Sequence, residues 1–129
     1  MRVFQSFPRG SGRFVKKGWR SYALHIVETA EKIERIRSKG DFMADEILYD
    51  ALLRNLQTLS EATQLLPEDL KITFDKIPWR EISGFRNVLV HNYLGEIDPI
   101  AIQAVVENEL GPLVSCVQTM LAGDTGEPS

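Results

Sequence analysis

Apolar residues recur every three to four positions through most of the chain, which is the spacing of one face of an α-helix. The first such run extends from Trp19 to Ser38, with a stripe made of Trp19, Tyr22, Ala23, Ile26, Val27, Ala30 and Ile33. The second extends from Asp45 to Leu66, with Leu48, Ala51, Leu52, Leu56, Leu59, Thr63 and Leu66 on one side. Each pattern predicts a helix that buries one face.

A third helix is predicted within Lys76 to Gly95, after a short helical turn from Pro67 to Lys71. Pro78 suits a first helical position, and Gly95 suits a stop just past the last turn. The predicted buried face carries Ile82, Phe85, Leu89 and Asn92, with Val88 beside it.

The last helix is predicted from Pro99 to Leu121, with Asp98 as its N-cap. Gly111 and Pro112 interrupt this pattern and should kink the helix or split it in two, because proline removes a backbone donor. Cys116 lies with the apolar positions, so we interpret it as a packing residue rather than a nucleophile.

These patterns contain no strand signal, and they predict an all-α protein. The expected architecture is an up-and-down, antiparallel bundle of four main helices. The 129 residues suffice for one domain, which we place at residues 18–122. Residues 1–17 are predicted to form a flexible basic arm, and residues 123–129 a disordered tail.

Charge is unevenly distributed along the chain. Residues 1–20 hold six basic side chains and no acidic one, whereas the rest of the chain holds nine basic and eighteen acidic side chains. Generic binding to nucleic acid through phosphate charge is therefore not expected of the folded part, and DNA is not an expected partner. Any action on RNA must be local or assisted by the arm.

Composition limits the other function classes. One cysteine excludes an internal disulfide, and with two histidines it leaves no Cys/His metal cluster, so no metal site or cofactor is expected. No apolar run approaches the roughly 20 residues of a membrane span, and no signal peptide is evident. A cytoplasmic location without membrane contact is the expectation.

The groups most able to do chemistry lie together in the third helix: Arg86, Asn87, His91 and Tyr93. Asn87 and His91 are four residues apart and share a face, whereas Arg86 and His91 diverge by roughly 140° on a straight helix. Either the helix loosens near His91, or a second protomer completes the site across a two-fold axis. We favour the second interpretation, which predicts a homodimer.

Arginine and histidine together can support phosphoryl chemistry. Arg86 can hold a phosphate through parallel hydrogen bonds, and His91 can exchange a proton near neutral pH. Taken alone, both could equally be ordinary exposed residues at a helix end. Arg20 and His25 have the same spacing by chance, and we expect His25 to be a solvated surface residue.

Two stretches carry a resemblance to a known family. The chain reads IPWREISGFRNVLVHNYLG from Ile77 to Gly95 and ALLRNLQTLSEAT from Ala51 to Thr63. These stretches resemble HepT-type proteins of the HEPN superfamily, whose pattern of Arg, four residues, His, one residue and Tyr falls on Arg86, His91 and Tyr93. Ser60 stands where many relatives have glycine.

The resemblance implies a metal-independent ribonuclease with Arg86 and His91 as catalytic residues. Asn87 and Glu61 are supporting candidates, Glu61 because it could help to hold Arg86. The resemblance also implies a toxin paired with a minimal nucleotidyltransferase antitoxin, which transfers AMP to Tyr93. The alternative is a non-catalytic helical dimer that binds nucleotide and docks such a nucleotidyltransferase.

Overall fold

The computed structural model describes the backbone of residues 12–91 and 97–125, and the side chains of residues 18–91 and 97–123. Within these ranges the chain forms six helices and no strand. They are α1 (Gly12–Lys39), α2 (Glu46–Thr63), α3 (Glu68–Thr73), α4 (Trp79–His91), α5 (Pro99–Asn108) and α6 (Leu110–Thr125). The all-α class predicted from the sequence is confirmed.

Helix α1 begins earlier than the sequence predicts. It starts at Gly12 rather than at Trp19, so residues 12–17 of the predicted arm are helical. Gly18 is the helix breaker nearest to the predicted start. A single internal glycine costs a helix only about 1 kcal/mol, which does not suffice to stop it. Residues 1–11 of the arm lie outside the described residues.

The corner between α1 and α2 is built from local capping bonds. Gly40 follows the last residue of α1, with φ of 158°, a value that L side chains rarely adopt. The Asp41 carboxylate accepts a hydrogen bond from the Met43 amide at 2.9 Å, which closes a turn rather than caps a helix. Asp45 is the N-cap of α2, since its side chain accepts from the amides of Ile47 and Leu48.

The start of α4 is tied to α3 through a tryptophan. The Trp79 indole N–H donates to the carbonyl oxygens of Lys71 at 3.1 Å and Phe74 at 3.0 Å. The carbonyl of Pro78 accepts from the amide of Ile82 at 3.1 Å, so Pro78 stands immediately before the helix rather than at its first position. Trp79 packs against the core cluster but remains half-buried.

The last helical segment is split in two, which is one of the two outcomes predicted from Gly111 and Pro112. Asp98 caps α5 by accepting from the Ile100 amide at 3.0 Å. The segments α5 and α6 are bent by 41° at Glu109. Pro112 explains the position of the break, because a proline excludes the carbonyl four residues earlier, and that residue is Asn108. The C-terminal segment remains helical to Thr125, beyond the predicted tail boundary.

One apolar core lies between the long helices. Helix α1 packs on α2 and α6, α2 also packs on α4, and α5 packs on α6. The largest fully buried apolar side chains are Ile26, Ile33, Leu52, Leu89, Ile102 and Val117. These packings place α1 and α2 at the centre, with α4 and α6 on either side. A closed four-helix arrangement and a homodimer stay predictions.

In residues 12–91 and 97–125, no single helix is long and apolar enough to cross a membrane, although α5 and α6, as a bent pair, together have the length and composition of a span.

Candidate active site

Two neighbouring side chains hold the Arg86 guanidinium. Its Nη2 lies 3.4 Å from Oε2 of Glu61, which joins α4 to α2, and its Nη1 donates to Oδ1 of Asn87 at 3.0 Å. The Arg86 and Glu61 side chains are 31% and 28% exposed, so water screens the ion pair only in part. Both supporting candidates chosen from the sequence therefore contact the motif arginine.

The same contacts leave part of the guanidinium unused. Arginine has five N–H donors, and the contacts with Glu61 and Asn87 occupy one on each terminal nitrogen of Arg86. One N–H thus remains on each terminal nitrogen for an anion. Nε is buried and has no hydrogen-bond partner among the described residues. A buried donor without a partner costs about 1–3 kcal/mol, and such groups are often found at functional sites.

Gln57 is a member of this cluster that the sequence did not indicate. Its Nε2 donates to Oε2 of Glu61 at 3.4 Å, the same oxygen that faces Arg86. Gln57 and Glu61 are four residues apart on α2, so helical spacing was the available signal. Gln64 donates to Ser83 Oγ at 3.4 Å one turn further along, and this bond also ties α2 to α4.

His91 is the last residue of α4 and is exposed. It lies on the same helical face as Asn87, four residues earlier. Helix α4 is regular from Trp79 through His91, so the helix does not loosen before the histidine. Arg86 and His91 therefore project from different faces of α4. The Arg86 side chain is long, however, and its bond to Asn87 brings the guanidinium towards the face that carries His91.

One face of α4 is exposed along two turns. It consists of Gly84, Asn87, Val88 and His91, at the i, i+3, i+4 and i+7 spacing of a helical stripe. We call this set the exposed α4 stripe. Val88 is 43% exposed, whereas its place beside the predicted buried face indicated partial burial. A Cβ added at Gly84 would meet nothing within 4 Å.

The buried face of α4 otherwise follows the prediction. Leu89 is buried, and Ile82 and Phe85 are half-buried against the core. Tyr93, together with Asn92 and Gly95, lies outside the described residues, so its role stays a prediction.

The second Arg-x4-His string is placed differently. Arg20 and His25 lie on α1, and the Arg20 guanidinium carbon is 5.9 Å from the centre of the Trp19 ring. His25, for which the sequence predicted a solvated surface position, is half-buried. The next two residues, Ile26 and Val27, are buried, so His25 lies at the edge of the core.

Three other side chains in the described part, Tyr22, Tyr49 and Cys116, have a pKa raised by burial. Burial raises the pKa of the Tyr22 phenol. Burial, followed by the charges of Asp98 and Asp50, raises the pKa of Tyr49, whose hydroxyl lacks a partner among the described residues. Burial also raises the pKa of the Cys116 thiol, which is consistent with a packing role. No group of three His, Cys, Asp or Glu side chains able to hold a metal ion occurs in residues 12–91 and 97–125.

The described residues thus form an all-helical domain in which Arg86 and His91 lie on one helix, α4. The family described as Ribonuclease HepT-like matches residues 24–120. The chain belongs to this family, which confirms the resemblance noted from the sequence.

Named relatives agree with this assignment. A Caldanaerobacter subterraneus protein named "Putative RNase TTE0752" is 39% identical over 79 residues, covering 59% of this chain and 70% of that protein. The "Probable ribonuclease HepT" of Thermococcus cleftensis is 33% identical over 84 residues, or 63% of this chain and 76% of the relative.

A third relative is a longer protein. The Methanocaldococcus jannaschii protein named "Gamma-glutamylcyclotransferase and putative RNase MJ0434" is 31% identical over 84 residues. The match covers 63% of this chain but only 38% of that protein. No solved structure was found to match the chain.

Proposed function

We propose that the protein is a metal-independent endoribonuclease in which Arg86 and His91 are the catalytic residues. The observation that carries this proposal is the way Arg86 is held. Glu61 and Asn87 bind its two terminal nitrogens and leave one N–H on each, on the helix that ends in His91. Membership of a ribonuclease family supports RNA as the substrate.

The proposed reaction is an internal phosphoryl transfer. The His91 imidazole accepts the proton of a 2′-hydroxyl, and the resulting oxygen attacks the adjacent phosphorus. The P–O5′ bond breaks, and the 5′ oxygen takes up the proton that His91 accepted, which returns the imidazole to its neutral form. One P–O bond forms and one breaks, so the products are a 2′,3′-cyclic phosphate and a 5′-hydroxyl. Because the nucleophile belongs to the RNA, this route consumes no water and needs no metal-activated hydroxide.

Arg86 stabilises the charge that develops on the phosphate during this transfer. Two parallel N–H donors match two phosphate oxygens, and such charge-assisted bonds are stronger than neutral ones. Glu61 and Asn87 act as positioning residues, since they restrict a long and flexible side chain before the substrate arrives. Gln57 supports Glu61 from the next turn of α2.

A homodimer accounts for two features of α4. Arg86 and His91 diverge along a helix that is regular through His91. The exposed α4 stripe has an apolar residue at Val88 and open space at Gly84, which would let another backbone approach closely. Packing of two such stripes across a two-fold axis would place the Arg86 of one chain near the His91 of the other.

Control by a nucleotidyltransferase partner is the second part of the proposal. A minimal nucleotidyltransferase antitoxin would transfer AMP to Tyr93, releasing pyrophosphate from ATP as the phenol oxygen binds the α-phosphorus. An added phosphate two residues from His91 would compete for Arg86 and block the site. Tyr22 and Tyr49 are weaker acceptors, because both are partly buried and burial raises the pKa of each.

Cleavage of a defined RNA in excess chelator is the direct test of the proposed function. We expect full activity there, 2′,3′-cyclic phosphate ends, and no cleavage of a DNA version or of an RNA with 2′-O-methyl groups. Activity that disappears in chelator and returns with Mg²⁺ would contradict the mechanism. Nucleotide binding without cleavage under any condition would instead favour a non-catalytic dimer that docks the nucleotidyltransferase, which the acidic charge of residues 21–129 also suits.

A further inference from the structure

A polar groove follows the line along which α2 packs on α4, and we call it the α2–α4 groove. It is lined by Gln57, Glu61 and Gln64 of α2 and its C-cap, and by Ser83 and Arg86 of α4. Glu61 contacts Arg86, whereas the later residue Gln64 contacts the earlier residue Ser83. The two helices are therefore antiparallel, and the first half of α2 lies beside the C-terminal end of α4.

Arg54 extends the α2 side of this groove by one turn. It precedes Gln57 by three residues and Glu61 by seven, and both spacings keep side chains on one face of a helix. Arg54 lies about 10.5 Å from Glu61 along the axis of α2. His91 lies about 7.5 Å from Arg86 along α4, in the same direction. Arg54 is therefore within about 3 Å of the level of His91, on the neighbouring helix.

The guanidinium of Arg54 is free to bind an anion. Arg54 is the only basic residue of α2 and is exposed, and its side chain forms no ion pair or hydrogen bond with any residue that the structure describes. Asp50, which is exposed one turn earlier on α2, does not pair with it. The charge of Arg86, by contrast, is offset by Glu61. Arg54 thus adds an uncompensated positive charge to the groove.

We propose that Arg54 binds a second phosphate of the RNA strand, next to the phosphate that is cleaved and on the His91 side of Arg86. This assignment rests on the proposed function for RNA as the ligand. A guanidinium binds phosphate oxygens through paired N–H donors. Glu61 and Asn87 hold Arg86 in place, and about 10.5 Å of α2 separates Arg54 from Glu61, so the two arginines bind different phosphates.

The second contact determines how the strand lies in the groove. One phosphate held at Arg86 leaves the strand free to turn about that point, whereas a second one held at Arg54 aligns it with the groove. Contacts with phosphate position a strand but do not read its bases, so Arg54 should add affinity without sequence preference. The remainder of the chain after residue 20 is acidic, so a single local arginine contributes a large share of the attraction.

Binding of an uncleavable RNA tests this contact without any cleavage step. The probe is a single-stranded oligonucleotide with 2′-O-methyl groups throughout, and its affinity for the full chain is measured at several salt concentrations. We expect Arg54→Gln to weaken binding about tenfold at low salt and to reduce the slope of log K against log[salt] by about 0.7, the value for one phosphate contact in a single strand. Arg54→Lys should keep the slope, because the charge remains.

The matched control is Arg35→Gln, since Arg35 is an exposed arginine on α1. This variant should keep both the affinity and the slope of the wild type. All the variants should have wild-type helical content by circular dichroism, because each replaces an exposed side chain.

Oligonucleotides with one uncharged methylphosphonate linkage locate the contact on the strand. As this linkage is moved along the probe, we expect one position at which the wild type loses affinity about tenfold and Arg54→Gln loses none. The same comparison with Arg86→Ala should identify the adjacent linkage.

Three results would overturn the role of Arg54: an unchanged salt slope in Arg54→Gln, an equal loss in Arg35→Gln, or coupling of both arginines to the same linkage. A wild-type protein that does not bind the probe would do so as well. Failure of the proposed function gives a different result. A protein that binds the probe through Arg54 but cuts no RNA would lose the function and keep the binding site, whereas cleavage with an unchanged slope in Arg54→Gln would remove only the binding site.

Discussion

Oε2 of Glu61 lies 3.4 Å from Nη2 of Arg86, and this ion pair connects two helices across 25 residues of sequence. The same carboxylate oxygen also accepts from Gln57. The position of the motif arginine is thus determined by α2 as well as by its own helix. The packing of α2 on α4 is therefore part of the proposed catalytic apparatus.

Removing the charge of Glu61 should impair catalysis more than folding. We expect Glu61→Gln to lower kcat about tenfold, because Arg86 then has a neutral partner and a wider choice of rotamers. A partly exposed ion pair contributes at most about 1 kcal/mol to stability, so the melting temperature should change little. Glu68→Gln, an exposed carboxylate on α3, is the control.

A double mutant separates this positioning role from an independent one. If Glu61 acts through Arg86, the variant Arg86→Ala/Glu61→Gln should be no less active than Arg86→Ala alone. Additive losses in kcat would mean that Glu61 contributes to the reaction by another route.

The two Arg-x4-His strings should respond differently to alanine substitution. We expect Arg86→Ala or His91→Ala to reduce cleavage by about 10²-fold or more, since each removes a group that acts in the transition state. Both variants should keep wild-type helical content by circular dichroism. Arg20→Ala and His25→Ala should leave cleavage within a few-fold. Inactivation by His25→Ala would show that the Arg20–His25 string, and not Arg86–His91, supplies the catalytic histidine.

Mixing two inactive variants tests the composite dimer. In a heterodimer of Arg86→Ala and His91→Ala chains, one of the two sites would regain both wild-type residues. Random pairing gives half heterodimers, so the mixture should recover about a quarter of wild-type activity. Each variant alone is the control. Light scattering should show a dimer at tens of micromolar, and an active monomer would rule out the shared site.

The sequence predicted most of the helical architecture for identifiable reasons. Asp98 and Pro99 carry a local capping signal, and Pro112 acts on a carbonyl four residues away, so both outcomes follow from nearby sequence. The start of α1 was misplaced because the cost of Gly18 is small compared with the stability of a long helix. The sequence offered the contact of Glu61 with Arg86 only as a hypothesis, because it does not show that α2 packs against α4.

The sequence alone could not predict the features that depend on how the helices pack against each other. Gln57 joins the site only through the register of α2, which hydrophobic periodicity does not determine. A cleft of about 340 Å³ lies between α4 and the break at which α5 and α6 bend by 41°, and a helical pattern gives the position of a break but not its direction. The exposure of Val88 likewise depends on which helices flank α4.

Tyr93 should be the acceptor of AMP from the partner enzyme. Incubation with a cognate nucleotidyltransferase, ATP and Mg²⁺ should add adenylyl groups that peptide mapping places on Tyr93. Tyr93→Phe keeps the ring and removes the phenol oxygen, so this variant should resist both modification and silencing by transfer. Tyr22→Phe and Tyr49→Phe are matched controls that should be modified normally. Label on Tyr22 or Tyr49 in the wild-type protein would refute the assignment.

Cys116 should make stability depend on alkaline pH. Because burial raises the pKa of its thiol, the native state holds this proton more tightly than the unfolded chain does. The contribution to stability is present at neutral pH and is lost as pH rises above the pKa of an unfolded thiol, about 8.5. Urea denaturation between pH 7 and 10 should show this decline in the wild type and a shallower one in Cys116→Ala. A steeper decline in the variant would contradict the assignment.

Trp79, whose indole N–H bridges two carbonyl oxygens where α3 meets α4, also gives the protein an internal optical probe. Ile77 and Pro78, which precede it in the sequence, line the cleft of about 340 Å³ between α4 and the α5–α6 break. The other tryptophan, Trp19, is buried on α1. In a Trp19→Phe background the emission comes from this single indole. The wavelength and quenching of this emission would then report changes in the surroundings of the cleft, without any added dye.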